Sequence, residues 1–196
     1  MKLFYVPGGC SLADHIALVE AGLSFTLVRV DREKRTDDGR DFGSINRKGY
    51  TPALELDDGT VLTENLALLV WIAEQRGTLL PTSGLERARV IEALAFMTSE
   101  LHGNFKPFFY PDASATEKDR ARGNLVRHFA TLADQLGERP FLVGSAMTIA
   151  DPYLFVMGRW SALHGIEVPE RITQYVARVS QLPSVARALA AEGLTA

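Results

Sequence analysis

Hydrophobic and polar positions follow two different periods along the chain, and the change falls near residue 78. Short apolar runs bounded by turn residues predict strands at 2–6, 25–31, 53–57 and 60–62. Helical spacing predicts a helix from Leu12 to about Gly22, a short helix within 32–47, and a helix over 65–76. The Asp58-Gly59 pair between two β-like runs predicts a hairpin. This order of elements predicts a small mixed α/β sheet with helices on its faces.

Beyond residue 85 the strand pattern disappears. Apolar positions recur at helical spacing, which predicts helices near 86–106, 116–137, 149–164, 170–180 and 184–192. The stretch that joins the two halves carries Pro81 and Gly84, which is typical of a linker. We therefore predict an α/β domain over 1–78, a linker over 79–85 and an all-helical domain over 86–196.

Composition and charge narrow the class of protein. The chain has 196 residues, 46% of them hydrophobic and 23% charged, as in an ordinary globular protein. The formal net charge is -3 and no long basic run occurs, so we expect no nucleic-acid partner. The longest apolar run, 66–73, is too short to span a membrane, and 1–6 is too short for a signal peptide. One cysteine cannot form an internal disulfide, and we predict a soluble cytoplasmic protein without a membrane partner.

The single cysteine, Cys10, lies between two glycines and the first predicted helix. A helix N-terminus favours a thiolate, because its free N–H groups and its dipole stabilise an anion. Ser11 is the predicted N-cap, with Asp14 as its capping-box partner, although the charge of Asp14 opposes a thiolate. Without a Cys-x-x-Cys pair, Cys10 could form a mixed disulfide with an external thiol or donate a hydrogen bond to another thiolate. The alternative is a small buried apolar residue without chemistry.

Two further positions are typical of ligand binding. A cis bond between Thr51 and Pro52 would leave the Thr51 N–H and C=O to pair with an extended ligand; a trans proline that opens a strand is the alternative. Glu64 and Asn65 open a predicted helix directly after a strand, where free N–H groups can bind a carboxylate. Glu64 could face a ligand ammonium, and an ordinary acidic first turn is the alternative.

Together these features resemble the glutathione transferases, and in particular their bacterial beta class. The opening "YVPGGCSLADHI", 5–16, is similar to the beginning of that class. Further similar stretches are "NRKGYTPALELDDGTVLTE" (46–64), "SELHGNFKPFF" (99–109), "TIADPYLF" (148–155) and "AAEGL" (190–194). The resemblance covers nearly the whole chain. It implies a thioredoxin-like α/β N-terminal domain followed by an all-α C-terminal domain.

The resemblance implies a glutathione site in the N-terminal half. Cys10 would lie beside the glutathione sulfur and act as a catalytic residue. The Thr51 main chain would pair with the cysteinyl unit, with Pro52 cis. Glu64 would hold the γ-glutamyl ammonium, and the Asn65 N–H would bind the carboxylate of the same unit.

Other matched positions extend the predicted site. Lys34 or Arg35 matches a lysine that approaches the glycine carboxylate, and the register leaves both open. His102 matches a histidine of the family's active site and is the second catalytic candidate. Helical spacing places four positions on one face of the predicted helix 86–106: Ala95, Ser99, His102 and Lys106. Ser99 and Lys106 complete the predicted set of glutathione-binding residues.

The chain departs from the family pattern at three positions. Gly103 stands where a lysine often follows the histidine, Ala95 where an asparagine is common, and Asn65 where a small residue is usual. Lys106, one turn after His102, could replace the missing cation. Thr148 and Asp151 form a variant capping box that we interpret as structural.

The predicted function is a glutathione transferase that delivers the glutathione thiolate to an electrophile or a mixed disulfide. A non-catalytic ligand- or protein-binding member of the same fold is the alternative. A third hypothesis keeps the enzyme and uses Ser11 or Tyr5 to activate the thiol. The resemblance implies a homodimer, a role in detoxification and a small hydrophobic electrophile, with glutathione as co-substrate and no metal or other cofactor.

Overall fold

The computed structural model describes residues 1–195. The chain forms two compact units, one built from residues 1–80 together with the segment from Gln181 onward, the other from residues 81–180. The predicted division left the last helix in the helical domain, whereas the structure groups it with the first unit. The reason is its packing: α9 (Pro183–Ala191) buries Val185, Ala188 and Leu189 and contacts the first helix of the chain.

The first unit contains a four-stranded mixed sheet in the order β2-β1-β3-β4. Its strands are β1 (Lys2–Tyr5), β2 (Thr26–Arg29), β3 (Ala53–Glu55) and β4 (Val61–Thr63). β1 pairs with β2 in parallel and with β3 antiparallel, and β3 and β4 form the predicted hairpin. The parallel pair is joined through a helix, as parallel neighbours require. The predicted mixed sheet is confirmed.

The remaining helices of the first unit are α1 (Ser11–Glu20), α2 (Phe42–Ile45) and α3 (Asn65–Arg76). α1 packs against β1, α3 and α9, and its apolar side chains Leu12, Ile16 and Leu18 are fully buried or nearly so. The predicted helix over 65–76 coincides with α3. This packing fixes the start of α1 and the start of α3, the two helix ends on which the predicted glutathione site depends.

The second unit is helical, as predicted. Its elements are α4 (Gly84–Phe96), a π-helical segment (Met97–His102), α5 (Gly103–Phe109), α6 (Ala115–Leu136), α7 (Ala150–Leu163) and α8 (Glu170–Val179). Its core holds large aromatic side chains, with Phe105, Phe129, Tyr153 and Phe155 fully buried. None of the helices described in residues 1–195 is long and apolar enough to cross a membrane.

The stretch predicted as a single helix over 86–106 contains a change of helix type. α4 runs into six residues of π-helix and continues as α5. A π-turn closes i→i+5 hydrogen bonds and so takes one residue more than an α-turn. Such turns are frequent at functional sites. The α-helical spacing used to place Ala95, Ser99, His102 and Lys106 on one face therefore does not hold across residues 97–102.

Candidate active site

Cys10 stands at the start of α1 and contacts two of the residues predicted to share its site. The Cys10 thiol donates to the Thr51 carbonyl oxygen at 3.5 Å. The Asn65 side chain donates through Nδ2 to the Cys10 carbonyl oxygen at 3.2 Å. The Cys10 side chain is only 9% exposed. The start of α1, the residue before Pro52 and the start of α3 therefore meet at Cys10.

The predicted N-cap of α1 is wrong by one residue. Cys10, not Ser11, is the cap residue, and it makes no side-chain capping bond. The glycine turn sets this register: Gly8 adopts φ 69°, and the Gly9 N–H donates to the Val6 carbonyl oxygen at 2.9 Å. Ser11 is already helical, and its hydroxyl bonds to the Val6 backbone instead.

The environment of Cys10 opposes its ionisation. Burial raises the pKa of the Cys10 thiol to about 12, and the carboxyl of Asp14 and, less, that of Glu64 act in the same direction. The N–H groups of Cys10 and Ser11 favour the thiolate but do not outweigh the burial. The helix start therefore lowers this pKa as expected, but the net shift is upward because burial outweighs the helix N–H groups. Cys10 is a thiol at neutral pH and can donate a hydrogen bond.

The two hydroxyl groups considered as alternative activators are both buried. Ser11 is 0% exposed and Tyr5 8% exposed. Burial, with a contribution from Glu192, raises the pKa of the Tyr5 phenol. A phenol in that setting is a weaker acid than in water, so the structure offers no support for Tyr5 as an anion at neutral pH.

The peptide bond between Thr51 and Pro52 is cis, which confirms the prediction for this bond. The turn before it is organised by the buried Asn46. The side chain of Asn46 accepts from the Lys48 N–H at 3.1 Å and donates to the Tyr50 carbonyl oxygen at 2.7 Å. This turn determines where the side chains of Lys48 and Tyr50 lie.

Glu64 occupies the position between β4 and α3. Its carboxylate accepts from Lys48 Nζ at 2.6 Å and from the Tyr50 hydroxyl at 2.9 Å. The hydrogen bond from Lys48 is the largest cause that lowers the pKa of Glu64. Glu64 also adopts φ 75°, ψ 119°, a conformation that non-glycine residues rarely take and that clusters at functional sites.

Sequence reasoning missed Lys48 and Tyr50 as neighbours of Glu64. The hairpin register contains the signal, because Ala53 of β3 lies opposite Thr63 of β4. The residues just before β3 must therefore lie beside the residue just after β4. The loop geometry that brings the Lys48 ammonium to the carboxylate could not be read from the sequence.

The N-terminus of α3 presents free donors next to Glu64. Within the described part of the chain no side chain caps this helix. The first N–H groups of a helix have no partner inside it and attract anions. Asn65 is buried and contributes its backbone N–H to this end, while its side chain holds Cys10.

Lys34 and Arg35 lie in the exposed loop after β2. Lys34 adopts φ 61°, and the Arg35 N–H donates to Asp31 Oδ1 at 2.7 Å. Among residues 1–195, no hydrogen bond or ion pair joins either side chain to Cys10, Thr51 or Glu64. The structure therefore does not bring these two cations together with the other predicted residues, and the choice between them stays open.

In the second unit, His102 ends the π-helical segment. Its Nδ1 lies 2.8 Å from the Tyr153 hydroxyl, and its ring packs against Trp160 with centroids 5.2 Å apart. Burial lowers the pKa of His102 to about 4, with a smaller contribution from the charge of Lys106. His102 is therefore neutral at physiological pH, and its ring is oriented by Tyr153.

Ser99 and Lys106 are exposed in the same stretch of the second unit. The Ser99 hydroxyl donates to the Ala95 carbonyl oxygen at 3.1 Å. Ser99 thus satisfies the backbone of its own helix, and its predicted role in binding glutathione stays a prediction.

Thr148 and Asp151 form a buried hydrogen-bonded pair, although α7 begins two residues after Thr148 and Ile149 is the cap residue. The Thr148 N–H donates to Asp151 Oδ2 at 2.7 Å. The Leu142 N–H and the Tyr175 hydroxyl, each at 2.8 Å, donate to Asp151 Oδ1. Asp151 therefore joins three segments of the second unit, which agrees with a structural role.

The described residues show no metal centre. In residues 1–195, no group of three His, Cys, Asp or Glu side chains is arranged to hold a metal ion. The chemistry available to the candidate site comes from a thiol, a carboxylate, helix N–H groups and backbone amides.

Comparison with known proteins decides the family. Models of the glutathione S-transferase N-terminal and C-terminal domains match residues 10–75 and 115–191. The glutathione S-transferase GstA of Escherichia coli O157:H7 is 42% identical, over 99% of this chain and 100% of that protein. The chain belongs to the glutathione S-transferase family.

Solved structures of glutathione S-transferases agree with this assignment. A sphingomonad glutathione S-transferase in complex with glutathione has a TM-score of 0.94 at 42% identity, covering 100% of both chains. The bacterial beta-class glutathione S-transferase of Sphingomonas chungbukensis has a TM-score of 0.94 at 43% identity, again over 100% of both chains. These similarities confirm the predicted fold class and the beta-class resemblance, and they support the predicted glutathione transferase function.

Proposed function

We propose that this glutathione S-transferase binds glutathione in its first unit and transfers the glutathione sulfur to an electrophile, the general conjugating activity of the family. The observation that carries the proposal is the contact network around Cys10. It links Cys10 to Thr51 at 3.5 Å and to Asn65 at 3.2 Å, with Glu64 next to Asn65 in the chain. Each of these groups matches one chemical feature of glutathione.

The γ-glutamyl unit of glutathione carries an ammonium and a carboxylate. Glu64 is a half-exposed carboxylate that already binds the Lys48 ammonium. We propose that the ligand ammonium joins or replaces Lys48 there, while the free N–H groups at the start of α3 receive the ligand carboxylate. The Thr51 backbone, next to the cis bond, is proposed to pair with the cysteinyl unit as a short strand would.

Cys10 is proposed to act as a hydrogen-bond donor rather than as a nucleophile. Its thiol is protonated at neutral pH, since its pKa is raised to about 12. A donor thiol and the N–H groups at the start of α1 would stabilise the thiolate of bound glutathione. This stabilisation lowers the pKa of the glutathione thiol, which makes the reactive anion available for transfer.

His102 is proposed as a second catalytic residue, on the strength of the family resemblance. Because Nδ1 is engaged with Tyr153, Nε2 is the nitrogen that can face a ligand. Ser99, Lys106 and either Lys34 or Arg35 are proposed as further glutathione contacts on the same basis.

A non-catalytic binding protein of the same fold remains the second candidate function. Gly103 and Ala95, both exposed, are the observations that favour it, because polar side chains are common at these positions in the family. Steady-state conjugation of glutathione to an aromatic electrophile separates the two: turnover supports the enzyme, and glutathione binding without turnover supports the binding protein.

The glutathione site is tested by calorimetry on Glu64→Gln. Loss of the carboxylate that faces the ammonium should weaken glutathione binding by about 1.5–3 kcal/mol, which is roughly a tenfold to hundredfold rise in Kd. Glu20→Gln is the matched control, because it makes the same substitution at an exposed glutamate at the end of α1. This variant should bind glutathione as the wild type does. Wild-type affinity in Glu64→Gln would show that the site is assigned to the wrong residues.

We also propose a cytoplasmic homodimer that acts in detoxification. The family resemblance supports the dimer and the detoxification role, and the single cysteine fits a reducing compartment. Light scattering at micromolar concentration tests the dimer, and a monomeric mass would contradict it.

A further inference from the structure

Two side chains that can lose a proton lie one turn apart at the start of α1. They are Cys10, the N-cap residue, and Asp14, four residues later. Side chains at this spacing are neighbours on one face of a helix. Asp14 is 0% exposed and Cys10 9% exposed. Two groups that can each become an anion are therefore both buried on the same face of the helix.

The Asp14 carboxyl has little to stabilise its charge, because burial outweighs the effect of its own backbone N–H on the pKa. Both of its oxygens are buried and have no hydrogen-bond partner in residues 1–195. Burial of an unpaired carboxylate is costly, so the neutral acid is favoured. In agreement, burial raises the pKa of Asp14 well above its usual value.

Within residues 1–195, the elements packed against α1 place no cation on the Asp14 carboxylate. On the α9 side, His15 Nδ1 is bound to Glu192 Oε1 at 2.9 Å. From β1 comes the phenol of Tyr5, and before α3 comes the carboxylate of Glu64, which adds negative charge near Cys10. In the described part of the chain no lysine, arginine or histidine forms an ion pair with Asp14.

We propose that Asp14 is a positioning residue that keeps Cys10 in its thiol form, so that the Cys10–Asp14 pair carries at most one negative charge at neutral and mildly alkaline pH. Once the Asp14 carboxyl has lost its proton, its charge opposes loss of a second proton from Cys10 on the same helix face. The proton therefore stays on Sγ, which donates to the Thr51 carbonyl oxygen in the free chain.

The consequence for the reaction rests on the proposed glutathione function. As a thiol, Cys10 donates to the bound glutathione thiolate and supports conjugation. As a thiolate, it would attack oxidised glutathione: a bond forms between Sγ and one glutathione sulfur, the disulfide breaks, and the other half leaves as a thiolate that takes up a proton. By keeping Cys10 protonated, Asp14 favours conjugation over disulfide exchange.

The pH profile of Cys10 alkylation tests this role. Because the chain has a single cysteine, the rate of iodoacetamide addition, followed by intact mass, reports on Cys10 alone. Asp14→Asn should shift the profile to lower pH and raise the rate at mildly alkaline pH about threefold or more, since only thiolate reacts. Glu20→Gln, which removes an exposed charge from the same helix, should leave the profile unchanged. Superimposable profiles for folded Asp14→Asn and the wild type would overturn the proposal.

A measurement on the wild type covers the case in which Asp14→Asn fails to fold. Carbon NMR of the Asp14 carboxyl and the Cys10 β-carbon follows both protons in one sample. We expect the Asp14 signal to titrate first and the Cys10 signal to stay at its thiol value throughout that titration. A Cys10 signal that titrates before Asp14, or signals showing both groups ionised at mildly alkaline pH, would overturn the proposal.

The two proposals fail separately. If calorimetry detects no glutathione binding while Asp14→Asn still shifts the alkylation profile, the glutathione function is wrong and the role of Asp14 stands. If glutathione binds and the alkylation profile of Asp14→Asn does not move, the role of Asp14 is wrong and the glutathione function stands. If both hold, Asp14→Asn should also form the mixed disulfide with oxidised glutathione faster than the wild type, relative to its conjugation rate.

Discussion

Two stretches of this chain share a sequence pattern at the start of a helix, but their aspartates differ in hydrogen bonding. "SLAD", 11–14, and "TIAD", 148–151, each have a hydroxyl residue followed three positions later by an aspartate near a helix start. In the second unit Asp151 receives the Thr148 N–H at 2.7 Å and two further donors. In the first unit Asp14 is equally buried and has no hydrogen-bond partner among the described residues.

The difference follows from where each helix begins. Thr148 precedes α7, so its N–H is free to meet the carboxylate of Asp151. Ser11 is the first residue of α1, because the glycine turn makes Cys10 the cap residue. Asp14 is thereby moved to the fourth helical position, beyond reach of the cap N–H. A buried carboxylate with its partners stabilises a fold, whereas one without partners costs stability and requires a separate explanation.

Of the substitutions that test this difference, replacement of Asp151 should have the largest effect on the free energy of unfolding. Asp151→Ala leaves the N–H groups of Leu142 and Thr148 buried without an acceptor and leaves the Tyr175 hydroxyl only the backbone carbonyl of residue 151, at 3.2 Å. This loss should lower the free energy of unfolding by about 3–5 kcal/mol. Urea denaturation measures this loss. Asp134→Ala, at an exposed site on α6, is the control and should change stability by less than about 0.5 kcal/mol. A loss at Asp151 no larger than the control's would contradict the structural role.

A smaller effect of opposite sign is expected at Asp14. Asp14→Leu replaces an unpaired buried carboxyl by an apolar side chain of similar size and should raise the free energy of unfolding by about 1–2 kcal/mol near pH 8.

The gain should depend on pH in a defined direction. Because the folded pKa of Asp14 is above its unfolded value of about 3.8, its contribution to stability is complete below about pH 4 and is lost as the pH rises through the folded pKa. The difference between Asp14→Leu and the wild type should therefore grow with pH. A constant or shrinking difference would show that Asp14 is already ionised or stabilised.

Much of the fold could be predicted because it depends on local signals. The Asp58-Gly59 turn, the short apolar run of β1 and the helical spacing of α3 each act over a few residues. The position of α9 could not be predicted, since its packing against α1 joins residues that lie about 170 positions apart in the sequence. The π-helical segment was missed for a different reason: its side chains fit an α-helical pattern equally well.

The candidate site also has parts that could be predicted from local motifs and parts that could not. Cys10, Thr51 and Asn65 could be found from motifs, and the structure brings them into contact. The pairing of Lys48 with Glu64 depends on a turn whose geometry is set by the buried Asn46. The lack of hydrogen-bond partners at Asp14 within residues 1–195 could not be seen, because its sequence pattern is the same as that of Asp151 and only the register of the helix start separates them.

The central claim is that Cys10 is a thiol which stabilises a thiolate on glutathione. Ultraviolet titration of thiolate absorbance, with and without glutathione, tests it most directly. We expect no thiolate in the free chain at neutral pH, because the pKa of Cys10 is raised to about 12. The glutathione complex should show one thiolate, which persists in Cys10→Ala but forms at higher pH there, since the donor is lost. A thiolate in the free wild-type chain at neutral pH that disappears in Cys10→Ala would contradict the account.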